Sequence, residues 1–148
     1  MTMKKIRQAS NGFLAPATLW AVSGVCLMMS LPAFGQSRVI EVLAGKNSRF
    51  KVAGQDRPEI TVKAGEPLLL RIEAHKGKCW NRNGAVHGFT LLRAKDRAKV
   101  PGWDLELQPG VQEFNLTAPA DPGKYEVLCT VICSGDHEGM RMKFVVVP

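Results

Sequence analysis

The chain has 148 residues, with 20 Lys and Arg against 13 Asp and Glu, a formal net charge of +7. Hydrophobic residues make up 45% and charged ones 22%, a globular balance that excludes a disordered or continuously membrane-embedded chain. The length suits one domain, and four Cys, three His and one Tyr leave little raw material for catalysis.

Residues 1–35 read as a secretory signal peptide. Lys4, Lys5 and Arg7 open the segment, which carries no acid. An apolar stretch follows from Leu14 through Leu31, and small residues stand at Ala33 and Gly35 before Gln36. The alternative is an uncleaved anchor, but the apolar run is short for a span and is broken by Pro16 and Pro32. Cleavage leaves 17 basic residues against 13 acidic ones, so much of the basic excess is targeting charge. No Lys/Arg-rich run survives, which argues against nucleic acid as a partner. The expectation is a periplasmic or secreted protein of residues 36–148 with no stable membrane span after cleavage.

That segment reads as many short strands separated by dense turn signals. In chain order the expected strands are 38–43, 49–52, 59–62, 68–73, 87–92, 111–116, 124–129 and 142–147. The fourth alternates well, with Leu68, Leu70 and Ile72 on one face and Leu69, Arg71 and Glu73 on the other. Turn dipeptides such as Ala64-Gly65, Asn83-Gly84, Pro101-Gly102 and Pro122-Gly123 lie between them. About eight strands at this spacing imply an all-β, two-sheet antiparallel sandwich, with a small closed barrel as the alternative.

The chemistry is concentrated in one late loop. Cys129, Cys133, His137 and Met140 follow the spacing Cys-x3-Cys-x3-His-x2-Met. Thiolate and thioether donors select soft metals such as cuprous copper, and imidazole suits copper in both oxidation states. Ser134, Gly135 and Gly139 are small enough to let the loop curl around an ion. One more donor is needed, and His87 is the natural candidate. It starts a strand after the Asn83-Gly84 turn, at the end of the sandwich where the late loop can lie. A mononuclear blue site needs one thiolate, so the second cysteine is the discriminating residue.

This constellation resembles the CuA copper domain of cytochrome c oxidase subunit II and of nitrous-oxide reductase. The resemblance runs from about His87 to the C-terminus and is carried by Val86-His87-Gly88-Phe89, Pro122-Gly123-Lys124-Tyr125, the 129–140 loop and the apolar strand after it. It implies a cupredoxin-like Greek-key β-sandwich holding two copper ions. Cys129 and Cys133 would bridge the coppers, His87 and His137 would each bind one, Met140 would be the weak thioether ligand, and the Val131 carbonyl would complete the set. The implied role is electron transfer without substrate chemistry, so the chain is expected to be an electron carrier, not an enzyme. The implied partners are a c-type cytochrome or a terminal oxidase. Family members often have Glu or Trp where Val131 stands; only the carbonyl is needed, so Val is compatible.

Other readings of the same residues stay open. Cys129 and Cys133 could form a structural disulfide in an oxidising compartment or act as a thiol redox pair. With His87 and His137 they could form a tetrahedral zinc site, which leaves Met140 unexplained. A copper-delivery or copper-storage protein would use the same soft ligands. Cys79, beside Trp80, is either a loop thiol or a second contact with His75. Lys76, Lys78, Arg82 and Arg93 are candidates for a basic patch near the His87 end.

Overall fold

The computed structural model describes residues 37–77, 81–132 and 134–148. Residues 1–36, which include the expected signal peptide, and Lys78, Cys79, Trp80 and Cys133 lie outside the described residues. The described residues form nine strands and a single 3₁₀ turn. The strands are β1 Arg38–Gly45, β2 Arg49–Val52, β3 Glu59–Lys63, β4 Pro67–Ala74, β5 His87–Arg93, β6 Lys99–Leu107, β7 Gly110–Thr117, β8 Gly123–Leu128 and β9 Arg141–Val147. They build a four-stranded sheet, β2-β1-β4-β7, and a five-stranded sheet, β3-β9-β8-β5-β6. Neighbours that are far apart in sequence are what Greek-key connectivity produces.

Period-two patterning builds the core between the sheets. In β4, Leu68, Leu70, Ile72 and Ala74 are buried while alternate residues face outward. β9 buries Met142, Phe144 and Val146 in the same way. Phe144 anchors one part of the core, meeting the Trp103 ring edge-on at 5.2 Å and the Tyr125 ring at 6.4 Å. Phe50 and Phe89 make a second edge-on pair at 5.5 Å, joining β2 to β5 across the two sheets. At the start of β8 the Tyr125 hydroxyl donates to the Asp121 carbonyl at 2.7 Å and pins the entry turn.

Two features differ from the sequence expectation. The sheets are mixed, not purely antiparallel: β1 pairs with β4, and β3 with β9, in parallel register. A ninth strand, β6, runs through Pro101-Gly102, which reads as a turn in the sequence. β6 is the edge strand of its sheet, where a proline costs no ladder hydrogen bond. The dipeptide instead forms a bulge. Thr90 pairs with Asp104 and Leu92 with Lys99, so two steps along β5 span five along β6. Gly102 takes a φ of +79° within that bulge.

Candidate metal centre

β5 and the loop after β8 bring their residues together at one end of the five-stranded sheet. Thr90 pairs with Leu128 in the antiparallel β5–β8 register, so Gly88 and Thr130 face each other just beyond the end of β8. The Gly88 amide donates to Cys129 Sγ at 3.3 Å. A Cβ built on Gly88 would lie 2.6 Å from Thr130 Oγ1, 2.7 Å from the Thr130 nitrogen and 3.0 Å from the Val131 nitrogen. Glycine at 88 is therefore a steric requirement for the loop to lie against β5.

The sequence-predicted residues fall as follows. His87 is 1% exposed at the first position of β5. Its Nε2 bonds the His75 carbonyl at 3.0 Å. A carbonyl only accepts, so Nε2 carries the proton and Nδ1 holds a lone pair. Nδ1 is buried with no hydrogen-bond partner. Burial, the dominant cause, holds the His87 pKa below its ordinary value and keeps the ring neutral; the His75 side chain adds to this, while the bond to the His75 carbonyl opposes it. The His75 amide in turn bonds the Ala44 carbonyl at 2.9 Å, so the first sheet fixes the partner of the His87 ring.

Cys129 is buried, and its Sγ donates to the Val131 carbonyl at 3.2 Å. The Cys129 amide bonds the Met140 carbonyl at 3.1 Å, which closes the loop at its base. Met140 is fully buried in the core. His137 is half-buried in the 3₁₀ turn His137–Gly139. Its Nδ1 donates to the Ser134 carbonyl at 2.9 Å, so Nε2 is the ring nitrogen not engaged by that bond. The two imidazoles thus present different nitrogens. Cys133 lies outside the described residues, as does Cys79.

Sequence reasoning does not find the side chains that hold the loop. Thr130 bonds Thr90 at 2.7 Å, and the Asn81 amide donates to the Ala85 carbonyl at 2.9 Å and the Ile132 carbonyl at 3.4 Å. Ser48 bonds Ser134 at 2.5 Å from the β1–β2 turn, where it sits in the left-handed region at φ +58°. Alternate loop residues are thus tied to three separate parts of the fold. A lone Ser, Thr or Asn in a strand or turn carries no periodic signal; only the turn chemistry around Asn83-Gly84 marks its neighbourhood.

The structure also removes Arg93 from the expected basic patch. Arg93 ends β5, six residues from His87 and about 20 Å away along an extended strand, and pairs with Asp96 at 3.6 Å. Lys76 and Arg82 remain exposed near the His87 end.

The donor set fits copper on two observations. A neutral imidazole with an unpartnered buried nitrogen adjoins the amide that reaches Cys129 sulfur. A thioether side chain is buried at the base of the same loop. Among the described residues no three His, Cys, Asp or Glu side chains converge within metal-holding reach.

No family model matches the chain, and no curated protein does. Solved structures do. Auracyanin A, a "blue" copper protein from the green thermophilic photosynthetic bacterium Chloroflexus aurantiacus, is 24% identical with a TM-score of 0.53, covering 76% of this chain and 100% of that one. A chain of a heme-copper terminal oxidase dimer is 18% identical with a TM-score of 0.52, covering 79% and 69%. Rusticyanin from Thiobacillus ferrooxidans is 17% identical with a TM-score of 0.50, covering 76% and 79%. At these identities the likeness is one of architecture, and the described strands form a cupredoxin-like β-sandwich.

Proposed function

We propose that this chain is a copper protein that carries electrons through a CuA-type centre of two ions. His87, Cys129, the Val131 carbonyl, Cys133, His137 and Met140 would hold the metal. The observation that carries the reading is the unpartnered, buried Nδ1 of His87 beside the Gly88 amide that reaches Cys129. Sequence places the second thiolate four residues on, and a second thiolate is what a bridged pair requires.

Bound copper supplies a one-electron couple. The chain does the rest. The His75 carbonyl holds the His87 proton on Nε2, so the ring meets a metal as a neutral donor. The Gly88 amide donates a hydrogen bond to the Cys129 sulfur and so fixes where that sulfur lies against β5. The buried Met140 and the packed sheets keep water from one side of the loop. A site built on two sheets changes geometry little when an electron arrives, which keeps reorganisation small. No bond of a substrate is made or broken, so the chain acts as a carrier and not as an enzyme.

The expected partners are other redox proteins, such as a c-type cytochrome or a terminal oxidase, met in the periplasm or outside the cell. Among the described residues no helix is long and apolar enough to cross a membrane.

The test is metal loading of the reduced, purified protein. Two coppers per chain, a purple colour and a delocalised mixed-valence signal by electron paramagnetic resonance are expected. Cys133→Ser should then hold one copper and lose the delocalised signal. A native protein that holds one copper and is blue overturns the two-ion centre.

A further inference from the structure

The loop that carries Cys129 is seated on β5 by a chain of hydrogen bonds whose direction the chemistry fixes. Thr90 is 0% exposed. Its Oγ1 donates to Asp104 Oδ1 at 2.5 Å and lies 2.7 Å from Thr130 Oγ1. A carboxylate only accepts, so the single Thr90 proton goes to Asp104 and Thr130 must donate to Thr90. The Thr90–Asp104 bond is charge-assisted, the stronger kind.

Asp104 is itself held. It sits directly across from Thr90 in the β5–β6 register. The bulge at Pro101-Gly102 brings Lys99 back alongside, where its Nζ donates to Asp104 Oδ2 at 2.6 Å. The order runs from the rim of the sheet inward: Lys99, Asp104, Thr90, Thr130. Thr130 also meets β5 two residues earlier, at Gly88, on the same face of the strand. It is thus seated at two successive positions, between Cys129 and Val131.

We infer that Thr90 is a positioning residue for the metal loop: oriented by Asp104, it takes the Thr130 hydrogen bond and fixes residues 129–131 against β5 in the protein without metal. This rests on the copper reading above. Its consequence is that the Cys129 sulfur and the Val131 carbonyl are set before copper arrives and do not have to be ordered by it. Outer partners that orient a metal's ligands typically matter by ten- to a hundredfold in affinity.

The test compares Thr90→Val, Thr90→Ser, Asp104→Ala and Trp103→Phe in the full protein. Thr90→Val keeps the branched shape and removes the hydroxyl; Thr90→Ser keeps the hydroxyl. Asp104 is exposed, so its removal spares the core. Trp103→Phe breaks the bond from Trp103 Nε1 to the Thr117 carbonyl, 3.0 Å long and outside the metal loop, and serves as a control for stability alone.

Thr90→Val should bind the native number of coppers but release them to a chelator about tenfold faster, with a changed copper hyperfine splitting. Thr90→Ser should restore both, and Asp104→Ala should move both the same way by less. Trp103→Phe should lower the melting temperature and leave spectrum and release alone. In the reduced, metal-free protein, amide exchange at residues 129–131 should rise about tenfold in Thr90→Val, the loss of one hydrogen bond with its order. A Thr90→Val protein with native spectrum, release and exchange overturns the inference, whatever its melting temperature. A native protein that takes up no copper overturns the copper reading and the positioning role with it. Exchange in the metal-free protein then still reports separately whether the tether exists.

Discussion

At Gly88 the absent side chain is what lets the late loop lie against β5. The backbone of residues 130–131 occupies the space a Cβ would need, and backbone cannot swing aside as the end of a flexible side chain can. Gly88→Ala should push the loop away from β5, lengthen the bond from the residue 88 amide to Cys129 sulfur, and cost about 1–3 kcal/mol, the usual range for overpacking. Chemical denaturation measures the loss, and copper retention should fall with it. The same substitution at Gly139, where nothing lies within 4 Å of the added carbon, should leave copper retention near native. His87 states the residue-scale logic in another form. A buried imidazole kept neutral, with one nitrogen spoken for by a carbonyl, is a donor made ready by its surroundings.

At the scale of the element, the β5–β6 pair depends on a bulge that folds an edge strand back on itself. It brings Lys99 and Asp104 together and lets Asp104 receive Thr90. Lys99 first, then Thr90, holds the Asp104 pKa below its ordinary value. The folded state therefore binds fewer protons than the unfolded chain, so the contribution is complete above the ordinary carboxyl pKa. It is lost as pH falls through the depressed one. Asp104→Asn keeps an oxygen for Thr90 but loses the charge that holds Lys99. Its urea midpoint should lie below native at pH 7, and the gap should close as pH falls below the ordinary carboxyl range and through the depressed Asp104 pKa. Both side chains are about half exposed, so the difference is small and the closing of the gap is the decisive observation.

On the scale of the whole molecule, stability comes from apolar faces pressed between two sheets. Phe144 stands where Trp103 and Tyr125 converge and is fully buried. Phe144→Ala should cost about 3–5 kcal/mol, a large share of a total stability of about 5–15 kcal/mol for such a domain. Phe144→Leu should cost less, and a thermal melt should rank native above Leu above Ala. The two sheets also meet at the candidate metal centre. β4 ends in the chain that gives His87 its carbonyl partner, the β1–β2 turn supplies Ser48 to Ser134, and β5 carries His87 and Thr90. The candidate centre is thus a joint between sheets, and the residues proposed to hold the metal are fixed by the packing that stabilises the fold.

Local pattern determined much of this protein. Alternation in Leu68–Ile72 and Met142–Val146 fixes which faces are buried because a strand has no other way to divide its side chains. The run from Cys129 to Met140 gathers four soft or borderline donors in twelve consecutive positions, and that density is what points to a metal in the sequence. Pro101-Gly102 misleads for a stated reason: the same dipeptide suits a turn and an edge bulge, and only strand order distinguishes them. The parallel pairings of β1 with β4 and β3 with β9 were likewise illegible, because strand direction depends on the path of the connections. What tertiary structure alone decided is the setting of the site. Gly88 against Thr130, Thr90 between Asp104 and Thr130, and His75 behind His87 are contacts between segments distant in the chain. Hydrogen-bond direction and steric room are properties of such meetings in space, and a linear order of residues does not contain them.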